Sequence, residues 1–211
     1  WLQHQCYREL HGPGFLKREA SKISWLTHQV AEGMPAAEEQ GSRLKFERDL
    51  FALAEEFNHF RLFADILEGI TGTAVLMMDI SASEFPEAKK LEILREMLRS
   101  TEPLVTDIAY SYAEGGGAGI FYAGSKLSGS NLLDAIASAC GSVYEDEVPH
   151  GEHGAHMATQ HLDSQADWSR AMEILIEVCQ QRLRMRYEMF GLEIDEARIT
   201  AITNGNIEPI S

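Results

Sequence analysis

Between Phe46 and Glu68 the chain runs without a proline or glycine, long enough for about six turns of helix. Leu53, Glu56, Phe60, Phe63 and Leu67 recur at three- and four-residue steps, so they share one face of that helix. Glu56 and His59 are three apart and point the same way from adjacent turns. A carboxylate and an imidazole set among phenylalanines and leucines need partners, because burying unpaired polar groups is costly. One metal ion satisfies both.

A Glu-x-x-His pair alone carries little weight. With 24 Glu and 8 His in 211 residues, chance supplies roughly one. The chain has two, the second being Glu147-Val148-Pro149-His150, and it is their placement that matters. The net charge of −15 disfavours a nucleic-acid partner, which needs a basic patch. The cluster Arg182, Arg184 and Arg186 reads as the solvated face of a helix. Cys6, Cys140 and Cys179 are odd in number and far apart, which predicts reduced thiols and a cytoplasmic protein. No apolar run approaches the roughly 20 residues of a membrane span. No signal peptide is visible, although the chain opens on Trp1, which weakens that observation.

In chain order, Trp1 to His11 reads as a polar-aromatic lead ended by Gly12-Pro13-Gly14. A first helix is expected from Phe15 to Glu32, with Glu19 on its apolar stripe of Phe15, Leu16, Ile23, Leu26 and Val30. A second follows from an N-cap at Ser42 to about Ile70. After an irregular connection, Pro86 opens a short helix to Arg99. A third bundle helix runs from about Pro103 to Lys126 and carries Glu114 before a glycine-rich run. A fourth begins near Asn131 and carries Glu147. Asp163-Ser164 caps a fifth, 166 to 190, whose stripe includes Trp168, Met172, Leu175, Ile176, Cys179 and Leu183. Residues 191–211 read mostly as loop. The expectation is one all-α domain over 1–211, with a bundle core at 15–162.

Residues equally far from the connecting loop of an antiparallel helix pair lie at the same height. Glu19 is 14 residues before Gly33 and Glu56 is 14 after Ser42. Glu114 is 12 before Lys126 and Glu147 is 16 after Asn131, level to about one turn. The chain therefore holds two helical hairpins, each with a Glu on its first helix and a Glu-x-x-His on its second.

This order resembles the ferritin-like di-iron carboxylate superfamily, a four-helix bundle with a long crossover; the short helix at 86–99 and the fifth helix are additions. The resemblance covers about residues 15 to 160. It implies Glu19 and Glu114 as terminal carboxylates, Glu56 and Glu147 as bridging ones, and His59 and His150 as the nitrogen ligands of two iron ions, or of iron and manganese. Pro149 interrupts the second motif. Either a local bulge absorbs it or the helix restarts there, in which case Glu152 and His153, with His156, become rival ligands. Tyr110 and Tyr144 fall one turn before Glu114 and Glu147 and are core aromatics or donors to the ligands. The implied activity is an oxygenase or oxidase that activates dioxygen to oxidise a small organic substrate. An electron-donor protein and a homodimer are further implied partners. The rivals are an iron-handling ferroxidase and a non-catalytic helical interaction protein in which Glu56 and His59 form only a buried acid–imidazole pair.

Overall fold

A computed structural model describes residues 1–11, 22–34, 38–75 and 85–206, apart from the side chains of 11, 22, 25, 114–117 and 150–154. The regular structure is helical, with no strand among the described residues: α1 (Leu2–His11), α2 (Lys22–Gly33), α3 (Gln40–Thr71), α4 (Pro86–Thr101), α5 (Pro103–Gly124), α6 (Asn131–His161), α7 (Gln165–Met189) and α8 (Glu196–Thr203). The all-α expectation holds. The helices group into two compact units, Trp1–Ser81 and Ala82–Ser211.

In the first unit α1 and α2 both pack on α3. The expected lead at Trp1 to His11 is instead a helix. Cys6 and Leu10, four apart, share a face, and His4, Gln5, Cys6, Tyr7, Glu9 and Leu10 are all buried. Ile23 and Leu26 of α2 and Phe60, Phe63 and Ala64 of α3 are buried as well. Trp1 sets its ring edge-on to Phe63, with centroids 5.5 Å apart. The helix α3 starts at Gln40, two residues before the expected cap. Glu39 takes the N-cap position without a side-chain bond, so Ser42 lies inside the first turn. The far end fits the sequence: Gly72 adopts φ 67° and donates its N–H to the Glu68 carbonyl, a left-handed terminator that favours glycine.

In the second unit α5 and α6 form an antiparallel hairpin. Tyr122 packs on Tyr144 at 5.4 Å, and a Cβ added to Gly124 would meet Cys140 Sγ at 2.5 Å. These two pairings fix a backbone register in which Glu114 is level with His150 to Glu152, about one turn from Glu147. The helix α6 runs from Asn131 to His161 with Pro149 inside it, so it does not restart there. Its N-cap Ser130 accepts from the Leu133 N–H. Ser164 and Asp167 form a reciprocal capping box for α7. Pro86 opens α4, whose first N–H groups are met by Glu188 from α7: its carboxylate accepts from Glu87 N at 3.0 Å and Ala88 N at 3.3 Å.

Three expectations for this unit change. The buried stripe of α7 is Ala171, Ile174, Val178, Met185 and Met189. Trp168 and Met172 lie outside it and are exposed; Trp168 is held by its indole N–H, which donates to the Leu162 carbonyl at 3.0 Å. The arginines are half-buried clamps and not a solvated face. Arg182 donates to the Ala113 carbonyl, Arg184 holds Glu196 through bonds of 2.9 and 2.8 Å, and Arg186 Nη1 reaches Met189 Sδ at 3.1 Å. Within the expected loop at 191–211 lies α8. Asp195 caps it, and its Ile199 is buried. No helix among the described residues is long and apolar enough to cross a membrane.

Candidate metal site

The first unit gathers Glu9 from α1 with Glu56 and His59 from α3. One ligand atom from each lies within 4.8 Å of the others. His59 Nδ1 is 3.9 Å from Oε2 of Glu9 and 3.9 Å from Oε2 of Glu56. These separations are too long for hydrogen bonds. Donor atoms bound to one first-row ion at about 2.1 Å lie up to about 4.2 Å apart, so the set is close to that span.

Each ligand is held by a different local reason. Glu56 and His59 share a face because they are three apart on a long helix, and Phe60 and Phe63 drive that face into the core. His59 is 0% exposed, and the side chains of Glu9 and Glu56 only 8% and 17%. Glu9 comes inward because Cys6 and Leu10 carry α1 against α3. Its Oε1 accepts a hydrogen bond from the amide of Gln5, one turn earlier and itself buried. The Cys6 thiol is pushed up to about 12, first by burial and then by the charge of Glu9, so it stays a protonated, inert thiol near neutral pH.

The donor set suits a divalent first-row ion. Two carboxylates balance its charge, and a mixed oxygen and nitrogen set favours iron or manganese over softer metals. Three protein donors leave further coordination positions for water or substrate.

Of the residues marked in the sequence, Glu56 and His59 are brought together. Glu19 lies outside the described residues. Glu114 is on α5, and His150, Glu152 and His153 are on α6, but their side chains lie outside those described. Glu147 is half-buried on α6. Tyr110 is buried beneath two guanidinium groups, Arg95 at 4.7 Å and Arg99 at 5.6 Å from its ring centre. Its hydroxyl makes no hydrogen bond to a described residue, and burial pushes its pKa up. Tyr144 packs on Tyr122 with the two rings tilted at 54°. Glu9 went unrecognised in the sequence; the signal was the Cys6–Leu10 spacing, which puts Glu9 on the edge of an apolar face. No protein-family model matches the chain, and neither a curated protein nor a solved structure matches it significantly.

Proposed function

We propose that this protein is a non-haem metalloenzyme of the ferritin-like di-iron kind, which uses dioxygen to oxidise a small organic substrate. The observation that carries the reading is the buried Glu9–Glu56–His59 group. These three residues would hold one iron or manganese ion, with Glu9 as a terminal carboxylate of the kind the resemblance implies for Glu19, which lies outside the described residues. Glu114, Glu147 and His150 would hold a second ion; Glu152 and His153 would rival them only in a helix that restarts at Pro149, and α6 runs through that residue. A metal held there would supply the electrons for dioxygen chemistry, with an electron-donor protein as the reductant that would restore them.

The chain's own residues set the conditions for that chemistry. Gln5 holds one oxygen of Glu9 and leaves the other facing His59. His59 is fully buried and the two carboxylates nearly so, and exclusion of water strengthens each charge interaction inside.

The test is anaerobic loading with ferrous iron, then admission of air in the presence of a reductant and a panel of small organic substrates. Dioxygen uptake coupled to an oxidised organic product is the expected result, and His59→Ala should abolish it. Uptake that yields only a ferric mineral would replace this reading with the ferroxidase one. No uptake by the iron-loaded chain would end both.

A further inference from the structure

The face of α3 opposite Glu56 and His59 is exposed along most of its length. Leu44, Leu50, Phe51 and Phe57 are 57%, 43%, 61% and 44% exposed. Isolated exposed apolar residues are ordinary, but these sit in a pattern. Arg43, Glu47, Leu50, Ala54, Phe57 and Arg61 follow one another at alternating steps of four and three, and each is exposed. That is the spacing with which one helix packs along another.

The exposed face is also partly self-complementary about Ala54, with Leu50 falling opposite Asn58 and the residues bordering the stripe completing the pairs. Phe51 and Phe57 stand three residues either side of it, Glu47 and Arg61 seven, and Arg43 and Asp65 eleven. A two-fold axis beside Ala54 sets each residue opposite its mirror position in a second, antiparallel copy. Both charged pairings are then of opposite sign, each Phe51 meets the second copy's Phe57, and the small Ala54 lets the helices approach at the axis. Among the described residues, the bonds that Arg43 and Arg61 make are local. Arg61 bonds Asp65 and Asn58, each at 2.8 Å, and Arg43 bonds the Glu38 carbonyl at 2.7 Å. Exposed pairs of this kind contribute little, so exchanging them for contacts across an interface costs little.

We propose that α3 is a homodimerisation helix, through which two copies of this chain pair antiparallel about Ala54. The metal-site face of α3 stays free of the interface, and the pairing is independent of whether metal binds.

Sedimentation of the full chain tests this with a charge exchange. The wild type should dimerise. Glu47→Arg and Arg61→Glu should each weaken the dimer about tenfold, because each sets like charges opposite one another twice per dimer. The double variant Glu47→Arg/Arg61→Glu should restore the wild-type affinity. A chain that stays monomeric at high concentration would overturn the proposal, and so would a dimer indifferent to all three variants.

Discussion

Gln5 and Glu9 sit one turn apart on α1, and the Gln5 amide donates to the Glu9 carboxylate. A partner of this kind orients a ligand before the metal arrives, and its loss typically weakens metal binding by about 10- to 100-fold. Gln5→Leu should therefore lower ferrous or manganous affinity by about that factor while circular dichroism stays unchanged. Unaltered affinity would mean that Glu9 is oriented by something else or is not a ligand. Glu56 and His59 were legible in the sequence because a single unbroken helix fixes their relation. Glu9 was not, because Gly12-Pro13-Gly14 hid α1 from the helical reading. Matching heights along the expected first helix pointed to Glu19, which lies outside the described residues.

Helix ends were read well where a residue dictates its backbone: Pro86 opening α4 and Ser164 capping α7. Faces were read less well. On α7 the bulky Trp168 and Met172 suggested a stripe, but the buried line follows Ile174 and Val178 beside α4 and α5, which no single-helix pattern can reveal. The α5–α6 hairpin gives an element-scale test. Glycine inside a helix costs about 1 kcal/mol relative to alanine, so Gly124→Ala would ordinarily stabilise. Here the new Cβ would meet Cys140 Sγ at 2.5 Å and Cβ at 3.0 Å, and overpacking of this sort costs about 1–3 kcal/mol. Gly124→Ala should be neutral to destabilising by up to about 2 kcal/mol in denaturant melts. Pairing it with Cys140→Ala should recover stability. A clear gain from Gly124→Ala alone would mean that the two helices do not approach so closely.

Across the whole molecule, each set of candidate ligands belongs to one compact unit: Glu9, Glu56 and His59 to the first, and Glu114, Glu147 and His150 to the second. Each set can therefore be removed without touching the other. The all-helical architecture follows from the apolar faces of the helices and needs no metal, so loss of a ligand should leave the fold standing. The most direct measurement is elemental analysis of the full chain after anaerobic reconstitution with iron or manganese and removal of excess metal. About two ions per chain are expected for a di-metal carboxylate protein. Glu9→Ala and His59→Ala should each bind at least one ion fewer while keeping wild-type helical content. A folded wild-type chain that takes up no metal, or variants that retain its full complement, would contradict the assignment of Glu9, Glu56 and His59 as a metal site.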